Sequence, residues 1–194
     1  MSATTVFSDS TWQALAAEYN EALSPDLVVG DRIAEQNARL LAEHVAGRVE
    51  VSTLPDGRMS VSGWVPVEDP EPYESFEDMR ADFMVAISHP STLRMVVSDM
   101  YHDHPVFSRE DNLRFRVWHD TAHLVENLGF TPNEEVELFQ RQALGIESPR
   151  VRAALFCESV YQLAASVVLG EFPDRQAVRT PGPVGRAVLD AWGL

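Results

Sequence analysis

The sequence predicts an all-α protein, a single-domain bundle of about six to eight helices with one peripheral β-hairpin. Helix start signals, in which Ser or Thr precedes proline or an acidic residue, recur along the chain and alternate with glycines that end helices. The alternation of apolar and polar residues that is typical of strands occurs in one stretch. A chain of 194 residues, of which 45% are hydrophobic, can bury one core, so residues 1–194 are expected to form one domain.

The first half of the chain is predicted to contain helices on both sides of the hairpin. Ser10 is expected to begin the first helix and Ser24-Pro25 the second, because a polar cap followed by proline suits the first turn of a helix. The turn sequence Pro55-Asp56-Gly57 lies between two alternating stretches, which places the hairpin at about 48–65. A proline-rich connector follows at about 66–74. The predicted helices of this half span about 10–22, 24–47, 75–89 and 91–101.

The second half is predicted to be helical apart from short connections. The segment His102-Asp103-His104-Pro105 is expected to be a loop, since proline disfavours a helical conformation in the residue before it. Ser108 with Asp111 forms a capping-box pattern, as Ser75 with Asp78 does in the first half. The predicted helices of this half span about 108–127, 131–145, 148–170 and 184–192.

Composition limits the partners that the chain is expected to have. It contains 30 acidic and 15 basic residues, every basic residue is arginine, and the formal net charge is −15. Such a surface repels phosphate backbones, so direct nucleic-acid binding is not expected. The absence of lysine has three explanations: a GC-rich genome, a high-salt source, or an acidic inhibitor that mimics DNA.

The chain is expected to be cytoplasmic and to have no association with membranes. No apolar run is expected to be long enough to cross a bilayer, and the first residues lack the basic start and apolar stretch of a signal peptide. The single cysteine, Cys157, excludes an internal disulfide framework. The sequence leaves the oligomeric state open.

A polar stripe on the predicted helix 108–127 is the main functional signal. At about 100° per residue, Asn112, Arg116, His119 and His123 lie on the side opposite a broad apolar arc. His119 and His123 are four residues apart, so both imidazoles project from one face and can reach one metal ion. Asp120 follows Arg116 by four residues, which makes an ion pair between them available. The alternative is that this polar stripe faces water.

Three further residues are candidate metal ligands. His104 lies in the loop before this helix. Glu158 is the one charged residue in an otherwise apolar stretch, and a buried carboxylate needs a partner, which can be a metal ion or an arginine such as Arg116 or Arg152. Glu135 flanks the apolar side of its helix, and its alternative role is that of a surface acid near a helix N-terminus.

The segment His119-Asp120-Thr121-Ala122-His123 resembles the HExxH helix of zinc peptidases, with aspartate in place of glutamate. This resemblance implies that the two histidines bind zinc, that Glu135 or Glu158 is the third ligand, and that Asp120 is the general base.

Two other resemblances concern helical enzymes. The pair His119-Asp120 resembles the adjacent His-Asp pair of helical metal-dependent phosphohydrolases, which implies His104 as an upstream ligand. The same residues resemble helical carboxylate–histidine di-iron proteins, in which Glu and His lie on facing helices of a bundle. Each resemblance covers a few residues of the chain.

The resulting hypothesis is a metal-dependent enzyme, with a hydrolase as the expected class. His119 and His123 are the expected ligands of zinc, manganese or iron, which ligand types alone do not distinguish. Glu158 is the first choice to complete the site, followed by Glu135, and His104 is an additional candidate.

The remaining residues of the stripe are given catalytic roles. Asp120 is expected to act as a base or a further ligand, and Arg116 to bind the anionic group of a small substrate or to orient Asp120. Two alternatives stay open: a non-heme iron or di-iron oxygenase, since two histidines and a carboxylate also suit iron, and a non-enzymatic acidic inhibitor.

Overall fold

The computed structural model describes residues 7–23, 31–53, 55, 59–61, 66–68, 73, 75–88, 95–97, 104–172 and 176–194. The chain is mostly helical, which confirms the helical class predicted from the sequence. It divides into two compact units, which are described separately below. Unit 1 consists of Met1–Leu41, His104–Val106 and Thr131–Leu194, and unit 2 of Ala42–Asp103 and Phe107–Phe130. The single-domain bundle stays a prediction.

The described residues form eight α-helices, one π-helical turn and four short strands. The helices of the described residues are α1 (Asp9–Leu23), α2 (Arg32–Ala46), α3 (Phe76–Ser88), α4 (Arg109–Glu126), α5 (Pro132–Leu144), α6 (Pro149–Phe156), α7 (Gln162–Leu169) and α8 (Pro183–Trp192). A π-helical turn, Cys157–Tyr161, joins α6 to α7 without a break. The strands are β1 (Val51–Thr53), β2 (Met59–Val61), β3 (Pro66–Glu68) and β4 (Met95–Val97).

The cap of helix α1 lies two residues before the predicted cap, Ser10. The Ser8 hydroxyl accepts the backbone N–H of Thr11 at 3.2 Å, so Ser8 is the cap. Helix α2 begins at Arg32, and the carboxylate of Asp31 accepts two backbone N–H groups of its first turn. The predicted start of this helix at Ser24-Pro25 lies outside the described residues.

The capping box predicted at Ser108 is present in full, and at Ser75 the side-chain cap of the predicted box is present. The hydroxyls of Ser75 and Ser108 each accept the N–H of the acidic residue three positions later, at 3.2 and 3.1 Å. Helix α5 has the same arrangement at its N-terminus. Helix α4 ends at Asn127, which takes the left-handed conformation usually taken by glycine, with φ 52° and ψ 48°.

Two pairs of short strands lie in unit 2. β1 and β2 are antiparallel, with Val51 opposite Val61, inside the segment where the hairpin was predicted. Most of the turn between them lies outside the described residues, so the complete peripheral hairpin stays a prediction.

The second strand pair corrects two predictions. β3 and β4 are parallel, with Pro66 opposite Met95. β3 occupies the start of the predicted connector, and β4 lies within the helix predicted at 91–101, which is therefore wrong at these residues. Met95-Val96-Val97 contains two β-branched residues, which favour a strand once a partner is present. That partner is distant in sequence, so local patterns do not reveal it.

In unit 1, α1 packs against α7 and α8, and α5 packs against α6 and the π turn. Aromatic side chains fill the space between these helices: the ring of Tyr161 lies 6.2 Å from that of Tyr19 and 5.0 Å from that of Phe156. All three side chains are buried. The continuous helix Pro149–Leu169 is therefore a central element of unit 1, as the sequence predicted.

This central helix has the length and the mean hydropathy, 1.2, of a membrane span, although no such run was expected from the sequence. The charged residues Arg150, Arg152 and Glu158 interrupt its apolar side chains. Of its most apolar window, 56% is buried inside the structure. That burial is typical of a core helix, so length and hydropathy are weak evidence for a membrane.

A buried carboxylate links α1 to the start of α8. The Tyr161 hydroxyl donates to Glu18 Oε2 at 2.5 Å, and the backbone N–H groups of Val184 and Gly185 donate to the same carboxylate at 2.8 and 3.1 Å. Burial alone raises the pKa of Glu18, but these three hydrogen bonds outweigh it and hold the pKa below its usual value. Glu18 thus caps a helix more than 160 residues away in the chain.

Candidate functional site

The two histidines of the HDxxH segment lie side by side in unit 2. His119 Nε2 and His123 Nε2 are 3.3 Å apart, and the two rings are perpendicular to each other. Both residues belong to α4, where a separation of four residues places them on one face. The exposed fractions are 9% for His119 and 1% for His123, so both rings are removed from solvent.

The burial of the polar stripe on α4 tests the alternative in which this stripe faces water. Asn112, about two helical turns before His119 and on the same face, is 2% exposed. The alternative in which this polar stripe faces water is therefore wrong for Asn112, His119 and His123. A buried polar side chain costs free energy unless it has a partner.

The imidazole of His123 is oriented by the turn that follows its helix. His123 Nδ1 lies 3.0 Å from the carbonyl oxygen of Leu128. A carbonyl oxygen only accepts hydrogen bonds, so Nδ1 carries the proton and the Nε2 of a neutral His123 presents its lone pair. The left-handed conformation of Asn127 turns the chain so that this carbonyl meets the ring.

Aromatic rings enclose the pair within unit 2. Phe115 is stacked on His119 with ring centroids 6.0 Å apart, and Phe130 meets the ring of His123 edge-on at 5.0 Å. Apolar walls of this kind exclude water and strengthen electrostatic interactions between the enclosed groups. The two imidazoles can therefore act as a pair of nitrogen donors held at fixed positions.

Arg116 and Asp120 are both half-buried on α4. Arg116 lies one turn before Asp120 and belongs to the same helical face as His119. The predicted roles of these two residues remain predictions.

The structure pairs the other two candidates, His104 and Glu158, in unit 1. His104 Nε2 lies 3.2 Å from Glu158 Oε1, and the side-chain amide of Gln162 donates to Glu158 Oε2 at 2.8 Å. The exposed fractions of the His104 and Glu158 side chains are 0% and 4%. The predicted burial of Glu158 is confirmed, and its described partners are a histidine and an amide. Arg152, an expected partner, instead donates to the Ile146 carbonyl at 2.6 Å.

His104 has the opposite proton arrangement to that of His123. The backbone N–H of Val106 donates to His104 Nδ1 at 3.1 Å, so Nδ1 is the acceptor. The proton of the neutral ring is then on Nε2, where it is donated to Glu158. This arrangement suits a hydrogen-bond donor better than a metal ligand, because the lone pair of Nδ1 is already engaged.

Glu158 also lies in the π turn Cys157–Tyr161, a feature that the sequence analysis did not predict. Single π turns within α-helices are rare, but those that occur are often located at functional sites. A run of apolar residues gives no periodic signal that distinguishes such a turn from a regular helix.

Two other residues are placed by unit 1. Glu135 is half-buried in the first turn of α5, whose N-terminus is capped by Thr131. Cys157 is buried, and its Sγ lies 3.4 Å from both the Ala177 carbonyl oxygen and the Arg179 nitrogen. Burial and the nearby Glu158 carboxylate raise the pKa of the Cys157 thiol far above neutrality. Cys157 is therefore not a nucleophile at neutral pH.

Comparisons with protein-family models, with curated proteins and with solved structures find no match for this chain. The chemical interpretation of the site is therefore based on its residues alone.

Proposed function

We propose that this protein is a metal-dependent enzyme, a hydrolase, in which His119 and His123 bind a divalent metal ion. The separation of their Nε2 atoms, 3.3 Å, is the observation that supports the proposal most strongly. Two nitrogens bound to one zinc ion at about 2.0–2.1 Å and at the tetrahedral angle are about 3.3–3.4 Å apart. The backbone carbonyl on the other nitrogen of His123 is the partner that metal-bound histidines usually have.

Glu135 is the proposed third ligand. His123 lies in the last turn of α4 and Glu135 in the first turn of α5, and residues 127–131 are all that connects these helices. Two histidine nitrogens with one carboxylate oxygen form a common catalytic donor set, and Glu135 is the carboxylate proposed to complete it.

Glu158 and His104 have other tasks in this proposal. Both carboxylate oxygens of Glu158 already accept hydrogen bonds, one from Gln162 and one from His104. We therefore place Glu135 before Glu158 as the ligand, in reverse of the order expected from the sequence. His104 acts as a donor that holds Glu158 in position.

The stripe on α4 supplies the remaining groups. A bound metal ion with an open position lowers the pKa of a water molecule to about 7 and so provides a nucleophile at neutral pH. Asp120, next to His119 in the chain, is proposed to accept the proton of that water. Arg116 is proposed to bind an anionic group of a small substrate, because a guanidinium forms paired hydrogen bonds with carboxylates and phosphates.

The wider predictions belong to the same proposal. We expect a cytoplasmic enzyme of one helical domain, without direct nucleic-acid or membrane binding, and with the hairpin at about 48–65 at its periphery. None of the candidate site residues lies in that hairpin.

Metal analysis of the untagged protein tests the proposal. After loading with zinc, manganese or iron(II) and removal of unbound ions, we expect about one ion per chain. His123→Ala should lower the affinity by more than about 100-fold, since it removes a ligand and not a supporting group. His44→Ala is the matched control, because His44 belongs to the same unit but lies outside the proposed site.

Cobalt(II) gives the sharper readout. Visible absorption bands of tetrahedral cobalt should appear with the wild-type chain and with His44→Ala, and should be absent with His123→Ala. A metal content well below one per chain with all three ions would contradict the proposal and would favour the acidic inhibitor. In that case the close contact of His119 and His123 would be an N–H···N hydrogen bond between neutral rings.

Activity distinguishes hydrolase from oxygenase. A hydrolase should cleave model esters or phosphate esters with zinc or manganese bound. An iron oxygenase should consume oxygen only with iron(II) bound and should be inactive with zinc, which has no redox chemistry.

A further inference from the structure

A cavity of about 320 Å³ lies in unit 2 against α4. Pockets of this size hold small organic molecules. Its walls are formed by the turn after α2 and by the central part of α4. The lining residues are Arg48, Val49, Val117, Trp118, Thr121, Ala122, Val125 and Glu126.

The walls of the cavity are mainly apolar. Val117 is buried, and Trp118 is half-buried. Trp118 is held on two sides, by an edge-on contact with His44 at 6.3 Å and a tilted contact with Phe115 at 6.1 Å between ring centroids. Val125 is 75% exposed, which leaves a large apolar side chain at the rim without cover. Such walls favour a ligand with an apolar or aromatic body.

The rim of the cavity carries a cation. Arg48 is exposed, and its Nη1 donates to the His44 carbonyl oxygen at 2.8 Å, which fixes the guanidinium at the end of α2. A guanidinium has five N–H donors, so most of its donor capacity remains for a ligand. The chain has a net charge of −15 and repels free anions in general. The half-buried carboxylate of Glu126 also lines the cavity and repels an anion beside it, so the carboxylate of a ligand is expected at Arg48 and its apolar body along the apolar wall.

The cavity is separate from the histidine pair. Thr121 and Ala122 are the two residues between Asp120 and His123 in the motif, and both line the cavity. Thr121 lies about 200° around the helix from His119 at 100° per residue. The cavity and the histidine pair thus lie on different faces of α4.

We propose that this cavity is a second binding site, which takes a small organic carboxylate with an apolar or aromatic body. The carboxylate is bound by Arg48, and the body lies against Trp118 and Val117. This site needs no metal ion and is independent of the proposed hydrolase activity.

Titration of the metal-free protein with 3-phenylpropionate tests the proposal, with 3-phenylpropan-1-ol as the neutral probe of the same size. Isothermal calorimetry or ligand-observed NMR should give a Kd in the millimolar range for the acid. The alcohol should bind about tenfold more weakly, because it lacks the charged hydrogen bonds to Arg48. Use of metal-free protein ensures that failure of this site and failure of the metal site are separate results.

Three variants assign the binding to the cavity. Arg48→Gln should remove the tenfold preference for the acid and leave binding of the alcohol unchanged. Ala122→Leu should weaken both probes, since the larger side chain fills the cavity. Arg39→Gln, which removes an exposed arginine of unit 1, should leave both affinities unchanged.

Equal binding of the acid and the alcohol would overturn the proposal. So would an equal loss of acid binding in Arg39→Gln and Arg48→Gln, which would indicate an effect of net charge, or unchanged binding in Ala122→Leu. If Ala122→Leu does not fold, the comparison of Arg48→Gln with Arg39→Gln decides the question alone.

Discussion

Individual histidines in this protein differ in the nitrogen that carries the proton, and backbone groups determine the difference. His123 Nδ1 faces the Leu128 carbonyl oxygen, whereas His104 Nδ1 faces the Val106 N–H. The first arrangement leaves Nε2 as a lone-pair donor and the second makes Nε2 a proton donor. Residue type and spacing do not distinguish His104 from His123, so the sequence predicted both as ligands.

Asn127 is expected to affect the proposed metal site without being a ligand. Asn127→Val should destabilise the left-handed turn by about 1–2 kcal/mol, because a β-branched residue disfavours positive φ. The Leu128 carbonyl would then move relative to His123, and metal affinity should fall roughly 10–100-fold. Asn127→Gly, which tolerates positive φ, should keep the affinity near that of the wild type. Competition with a chromogenic chelator measures both, and equal affinities for the two variants would contradict the role of the turn.

Glu18 is expected to make stability depend on acid pH. Its folded-state pKa lies below its usual value of 4.5, so its contribution is present above that pH and is lost as the pH falls through the folded-state pKa. Glu18→Gln should lower stability at pH 7 by about 1–3 kcal/mol, because the buried donors around it lose a charged acceptor. The melting temperature of this variant should also change less between pH 5 and 3 than that of the wild type. An equal change of melting temperature between pH 5 and 3 in the two proteins would contradict the assignment.

At the scale of elements, helix ends were predictable where their determinants are local. Ser75 and Ser108 each bond to an acidic residue three positions later, and both patterns are visible in the sequence. β4 was missed because its parallel partner, β3, lies about thirty residues earlier. The carboxylate of Glu18 was missed for the same reason, since its backbone partners belong to α8. Local sequence thus predicted helices and caps, and long-range pairing was outside its reach.

The candidate site shows the same division between local features, which were predictable, and long-range contacts, which were not. The shared face of His119 and His123 follows from helical periodicity, and the burial of Glu158 follows from its apolar neighbours. Neither the π turn around Glu158 nor its contact with His104 has a local signal. The sequence therefore predicted the shared face and the burial of these residues, but not their hydrogen-bond partners.

The start of α8 is expected to tolerate no side chain at Gly185. A Cβ at this position would overlap the Tyr161 hydroxyl and lie 3.1 Å from Phe156. Gly185→Ala should therefore destabilise the protein by about 1–3 kcal/mol, although alanine is the better helix former. Gly145→Ala is the control, since the nearest atom there is at an ordinary 3.5 Å and φ is negative. Chemical denaturation measures both, and equal stability of the two variants would contradict the packing at Gly185.

For the whole molecule, self-repulsion follows from a net charge of −15. Added salt shortens the range of this repulsion, from about 10 Å at 0.1 M to about 3 Å at 1 M. The melting temperature should therefore rise by roughly a few degrees between 0.05 and 0.5 M sodium chloride. Glu50→Gln, which neutralises an exposed acid, should raise the melting temperature at low salt and give no gain at high salt. A melting temperature that falls with salt would show that attractive ion pairs dominate instead.

The same charge bears on nucleic acids. Binding of duplex DNA releases counterions only where cations meet phosphates, and this surface has twice as many acids as bases. No appreciable affinity is expected at physiological salt in a fluorescence-anisotropy titration. Micromolar binding that weakens with salt would contradict this expectation and would indicate a local cluster of arginines.

The bond between Glu18 and α8 bears on how the chain folds during synthesis. Glu18 is synthesised before its backbone partners Val184 and Gly185, which follow it by 166 and 167 residues. Helix α1 must therefore wait for these hydrogen bonds until the residues between them have been made. Contacts of such long sequence separation are slow to form, because the loop that they close is long. Premature termination before residue 183 would leave the carboxylate of Glu18 without these two backbone donors, so that the loss of α8 appears as a defect in α1.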